Sequence, residues 1–170
     1  MTELVALDVG GTHARFAIAS IAADGTIALG EPVTLRTSDY ASLQTAWQEF
    51  ERRTGAPVPR AASIAIAAPI VGDTIRMTNN SWIFHVNSID DQLGLDRVTL
   101  INDFGAVAHA VASAPAEQLV HITGPDVPLP ERGTVTVIGP GAEHREQLAS
   151  GARLSLRGGG RLARGKIRGG

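Results

Sequence analysis

The sequence predicts an α/β protein built on a mixed sheet, and three observations carry that expectation. Apolar or alternating runs at residues 4–9, 61–68, 98–101 and 134–138 each stop at Gly, Pro, Asn or Asp, as buried strands do. Helices separate them, one read from the spacing of Leu43, Trp47 and Phe50 and one from the Ala-rich stretch 104–113 ahead of Pro115. The first run turns straight into a second through Gly-Gly-Thr, which makes a hairpin, so the sheet cannot be all parallel.

The hairpin, residues 4–19, carries the strongest chemical signal. A strand delivers Asp8 and Val9 to the turn Gly10-Gly11-Thr12, and an alternating strand leaves it. Gly10 and Gly11 are expected to supply positive φ. Consecutive N–H groups in such a turn can converge into an anion nest. Asp8 then faces the same spot, where beside phosphate oxygens its carboxylate attracts a hydrated Mg²⁺. The competing reading is a plain hairpin whose glycines only reverse the chain. Other phosphate motifs are absent: there is no G-x-G-x-x-G, and the single lysine, Lys166, is far from the glycines.

The remaining elements follow in order. Residues 26–36 alternate loosely as a third strand after the turn Asp24-Gly25. Ser38 or Asp39 is expected to cap the helix bearing Leu43, Trp47 and Phe50, which Gly55 ends and Pro57 keeps from resuming. Residues 61–68 read as a buried strand, Gly72-Asp73 as a turn and 74–77 as a short returning strand. Ser88 caps a brief helix through Leu93. A strand at 98–101 stops at Asn102-Asp103, a helix follows over 104–113, and a strand over 134–138 runs into Gly139-Pro140-Gly141.

Composition bounds the function. The 170 residues, 44% hydrophobic with net charge −2, suit one globular domain, or one and part of another. No basic leader precedes the first strand and no run approaches the roughly 20 apolar residues of a membrane span, so neither secretion nor a membrane is expected. Zero cysteines exclude thiolate chemistry and fit a reducing cytoplasm. Histidines 13, 85, 109, 121 and 144 lack metal-ligand spacing. Charge is uneven: residues 142–170 hold seven basic and two acidic groups, net +5, whereas residues 1–141 carry net −7.

Two further clusters suit a ligand. Asn102-Asp103 stands where a strand meets a helix start, in the crevice beyond the carboxyl edge of the sheet; Asp103 alternatively serves as a helix N-cap. Met77-Thr78-Asn79-Asn80-Ser81-Trp82 offers amides and hydroxyls to a polyhydroxyl ligand, with Trp82 and Phe84 better suited to the core. Gly139 and Gly141 follow another strand and could form a second phosphate turn.

Together these residues resemble the bacterial-type glucokinases of the actin-like sugar kinase and ATPase superfamily. The matching pieces are residues 8–16, residues 65–70, Met77-Thr78-Asn79 with Trp82 and Phe84, and residues 101–107, in family order over about residues 1–141. The resemblance implies the mixed-sheet N-terminal domain of the actin-like ATPase (ribonuclease H-like) fold, with the second domain truncated. It divides the chain into an N-terminal α/β domain over 1–115, the start of the second ATPase domain over 116–141, and an Arg/Gly-rich tail over 142–170. It implies phosphoryl transfer from ATP, with Mg²⁺, to the 6-hydroxyl of glucose at the entry to glycolysis. Asp8, Val9, Gly10, Gly11, Thr12, Gly139 and Gly141 would hold the nucleotide phosphates, Asp8 meeting Mg²⁺ through water. Asn79, Asn102 and Asp103 would hold the sugar, with Asp103 the catalytic base.

After Gly141 the family's Thr-Gly-Leu-Gly and Glu-Gly-Gly-His segments do not appear, and the sequence reads like a GC-rich gene in a shifted frame. An intact kinase frame downstream of codon 141 would support that reading, and a natural stop without one would refute it. With one wall of a two-domain cleft, the chain is expected to be inactive alone, and a dimer is left to the complete enzyme. Three alternatives stand. Another hexose kinase, for mannose or fructose, keeps the same chemistry. A sugar-responsive DNA-binding regulator would need a helix-turn-helix ahead of Leu4. The Arg157–Arg161 and Arg168–Gly170 stretches resemble RGG segments that bind RNA, but lack aromatics for stacking, so a solvated tail is expected instead.

Overall fold

Two long strands open the chain. β1 (Thr2–Val9) and β2 (His13–Ile21) pair antiparallel from Thr2↔Ile21 to Val9↔Ala14. Side chains alternate across a pleated strand, so Val5, Leu7 and Val9 all enter one core while Asp8 stays on the other face. Residues 1–77, 79–124, 132–134 and 153–155 are described by the computed structural model, and the chain divides into two units, 1–107 and 108–170.

In the first unit, the stretch expected as one third strand is two: β3 (Ile27–Leu29) and β4 (Val33–Arg36). Both pair with β2, β3 along residues 19–21 and β4 along 13–16. The break has a cause. The Gly30 N–H still donates to Ile18 O at 2.8 Å in the register of β3, but Pro32 has no N–H to give a ladder, and β4 resumes one residue out of step, with Val33 opposite Phe16.

Helix α1 (Leu43–Thr54) is capped by Ser42 rather than by Ser38 or Asp39, which lie in a 3₁₀ turn, Thr37–Asp39. The Ser42 hydroxyl accepts from Thr45 N–H, and Thr45 Oγ1 accepts from Ser42 N–H, a reciprocal box that neither earlier residue can form. Ser38 spends its hydroxyl on Asp39 instead. Gly55, at φ 67°, closes the helix as expected. Its buried face, Leu43, Ala46, Trp47 and Phe50, meets Phe16 of β2; the Phe16 and Phe50 rings stack at 5.0 Å and Trp47 stands edge-on at 6.1 Å. Each fully buried ring stabilises by about 1.5–3 kcal/mol.

β5 (Ala61–Ile66) and β8 (Arg97–Asn102) run parallel to β1, giving the order β3-β2-β1-β5-β8 with β4 also on β2. The expected mixed sheet is therefore present. Between them, β6 (Thr74–Arg76) pairs with β7 (Ile83–His85), a strand the sequence did not announce because only Phe84 of its three residues is buried. Trp82 and Phe84 join the core, as their aromatic character suggested. Helices α2 (Ile89–Leu93) and α3 (Asp103–Ser113) fall where expected, but Ser88 does not cap α2 with its side chain: its hydroxyl accepts from Gln92 Nε2 at 3.0 Å instead. In the second unit β9 (Arg132–Thr134) pairs antiparallel with β10 (Arg153–Ser155), the latter within the stretch expected as a solvated tail. Of the strand expected over 134–138 only Thr134 is described, and Gly139 and Gly141 lie outside the described residues.

Candidate functional site

The parallel register brings the expected site residues to one edge. Asp8 lies level with Ala65 and Ile101, and Val9 with Ile66 and Asn102. β1 and β8 are two strand spacings apart, about 10 Å. The Gly10–Thr12 turn leaves β1 at that edge, and Asp103 leaves β8 there as the first residue of α3. This is the carboxyl edge, where ligands of open α/β sheets bind.

The turn is held from below. Gly10 N–H donates to His13 O at 2.9 Å, Thr37 Oγ1 donates to Gly11 O at 2.8 Å, and Thr37 N–H donates to Thr12 O at 3.0 Å. Among the described residues, no backbone carbonyl accepts from Gly11 or Thr12 N–H, which leaves both donors for an anion. The glycines are needed for a different reason than expected, because neither Gly10 nor Gly11 has positive φ. A Cβ on Gly11 would stand 2.7 Å from Asn79 Cβ. Close approach of the segment carrying Asn79, rather than turn handedness, demands glycine at that position.

Asp8 pairs across the hairpin with Arg15, Oδ2 to Nη1 at 3.0 Å, with both side chains about half exposed at 50% and 54%. Such a pair is worth about 0–1 kcal/mol, so either partner is readily redirected by a ligand. With one oxygen on Arg15, Asp8 retains a second oxygen for a water of a hydrated Mg²⁺. That fits an outer-sphere ion. No group of three or more His, Asp or Glu able to hold a metal occurs among the described residues.

Asn102 does structural work. Its Nδ2 donates to Ala68 O at 3.1 Å, and its Oδ1 accepts from Phe104 N–H at 3.1 Å and Gly105 N–H at 3.4 Å. It thus caps α3 and ties β8 to the end of β5. Asp103 Oδ1 accepts from Phe104 N–H at 2.8 Å, which fixes the carboxylate at the start of the helix, where the dipole favours its charge. Gly105 is closely packed, since a Cβ there would meet Ile101 Cγ1 at 3.1 Å.

Asn79 is exposed beside the turn, whereas Asn80 is directed inward, its Oδ1 accepting from Trp82 N–H. Trp82 Nε1 donates to Tyr40 O at 2.9 Å, so its polar atom is satisfied inside the core. The residue the sequence did not single out is Thr37, 3% exposed and the one buried polar residue among those described. No local pattern marks it; its partners in the turn are 25 and 26 residues away. A depression of about 490 Å³, lined by Thr2, Glu3, Pro57, Arg60, Asp96 and Arg97, lies at the opposite edge of the sheet from these residues.

The chain has known relatives. The Glucokinase family model matches residues 4–143. A glucokinase of Zymomonas mobilis is 49% identical over 139 residues, covering 82% of this chain but 43% of its own length. One from Saccharophagus degradans is 36% identical over 141 residues, again covering 43% of its own length. Among solved structures, a glucokinase from an Antarctic psychrotroph superposes with a TM-score of 0.62 at 28% identity, covering 69% of this chain and 37% of that one. The chain spans less than half the length of these relatives.

Proposed function

Because the chain belongs to the glucokinase family, we propose that it forms one wall of an ATP-dependent glucokinase transferring the γ-phosphoryl group of ATP to the 6-hydroxyl of glucose. The carrying observation is the shared edge: the Gly10–Thr12 turn and Asn102-Asp103 lie two strands apart in register, close enough for a phosphate chain and a sugar to meet. The free N–H groups of the turn receive phosphate oxygens, and Asn79, packed on Gly11, offers its amide to the sugar. Mg²⁺ held through water by Asp8 would neutralise charge on the phosphates. Gly139 and Gly141 supply the second phosphate turn on the same reading.

Asp103 orients the 6-hydroxyl and takes its proton as that oxygen bonds to phosphorus and the bond to the bridging oxygen of ADP breaks. A carboxylate is a weak base toward an alcohol, so proton transfer comes late in a loose transition state. Asn102 serves the sugar through the amide proton not given to Ala68, while its oxygen keeps α3 in place. Glucose is the substrate proposed, in the cytoplasm; no described helix is long and apolar enough to cross a membrane. In a complete enzyme carrying these residues, Asp103→Asn should lower kcat by about 10²–10⁴-fold, with glucose KM changed far less. Near-normal turnover would remove Asp103 from the role, and faster turnover of mannose or fructose than of glucose would reassign the substrate.

A further inference from the structure

The residue with no part in that account is the buried threonine under the turn. We propose that Thr37 is the positioning residue of the phosphate site, resting on the reading of residues 10–12 as a phosphate turn. A trans peptide is planar, with its C=O and the following N–H pointing in opposite directions. Thr37 Oγ1 fixes the Gly11 carbonyl at 2.8 Å, and Thr37 N–H fixes the Thr12 carbonyl at 3.0 Å. The N–H of Thr12 is therefore turned away from Thr37, on the side open to an anion, while the His13 peptide faces Gly10, whose N–H donates to His13 O.

One side chain and its own backbone thus set two successive peptide planes, and the 3% exposure of Thr37 keeps water from competing. The position of Thr37 is itself set by β4, whose last residue, Arg36, pairs with His13. The second hairpin partner of β2 therefore carries the clamp to the turn. Valine has nearly the same shape but no hydroxyl, so it releases the Gly11 carbonyl while retaining the packing; serine retains the bond.

The test is titration of the ¹⁵N-labelled 170-residue chain with sodium triphosphate, followed at the Gly11 and Thr12 amides. Wild type and Thr37→Ser should show the same saturable shifts, and Thr37→Val should bind about tenfold more weakly with its core resonances unmoved. Wild-type binding that Thr37→Val shares unchanged overturns the role of Thr37 alone. Absence of any shift in wild type overturns the phosphate turn itself, and Thr37's role with it. Should Thr37→Val not fold, amide exchange in the wild type decides. The Thr37 amide should stay protected as triphosphate binds, and a faster exchange rate there overturns the clamp.

Discussion

Gly11→Ala tests the contact on which the site is assembled. The new Cβ would lie 2.7 Å from Asn79 Cβ, and Asn79 Cβ is fixed to the backbone, so no rotamer change relieves the overlap. Either the turn or the segment bearing Asn79 must retreat by nearly 1 Å to reach ordinary van der Waals separation. Overpacking of this kind costs about 1–3 kcal/mol. Urea unfolding followed by the fluorescence of Trp47 and Trp82, 2% and 1% exposed, should show the midpoint falling by about 1 M. The cause is isolated by a second change. Asn79→Gly removes the opposing Cβ at a cost of about 0.5–1 kcal/mol, and in its presence Gly11→Ala should become nearly neutral. Strict additivity of the two substitutions would refute the steric argument.

Ser42→Ala should destabilise by about 1 kcal/mol through loss of the reciprocal cap on α1, seen as a Tm about 2–4 °C lower. Phe16→Ala, which empties the centre of the Trp47–Phe50 cluster, should cost about 3–5 kcal/mol by urea unfolding. Hydrogen bonds from Arg52 and then Arg53 hold the Glu49 carboxyl at about 2, below its ordinary 4.5. Its contribution is thus complete above pH 4.5 and lost as pH falls from there toward 2, so Glu49→Gln should flatten stability against pH in that window alone. The 170-residue chain by itself should release no glucose-dependent ADP in a coupled assay; enzyme-like rates would show that one wall suffices.

What could be foreseen divides along a physical line. β1, β2, α1 and β5 were legible because burial on one face imposes a repeat on the sequence, whereas β8 showed as a short apolar run and α3 as an Ala-rich stretch with Ala108 its one buried residue. The misplacements occurred where the deciding interaction is not periodic. Ser42 outcompetes Ser38 and Asp39 through a reciprocal bond with Thr45, and Gly30-Glu31-Pro32 breaks a loose alternation into β3 and β4. β7 has one buried residue and leaves no repeat to read. At the site, Asp8, Asn102 and Asp103 were visible as polar residues at strand ends, a placement the parallel ladder then brings into register. The need for glycine at 11 was visible and its reason was not, because the steric partner, Asn79, is 68 residues away.

The openness of the site also follows from the sheet. Asp8 and Arg15 are each about half exposed, and Phe104, beside Asp103, is 37% exposed. Charges so placed interact at high effective dielectric, where a pair at 4 Å is worth about 1 kcal/mol rather than several. Transition-state charge stabilisation of the kind phosphoryl transfer requires depends on excluding that water. A second wall closing over the edge would change the same residues from weak, exchangeable partners into strong ones without moving the β1–β5–β8 register. Positioning is thus built into this sheet by the pairing of Asp8, Ala65 and Ile101, and on the proposed function catalytic strength must come from whatever covers it.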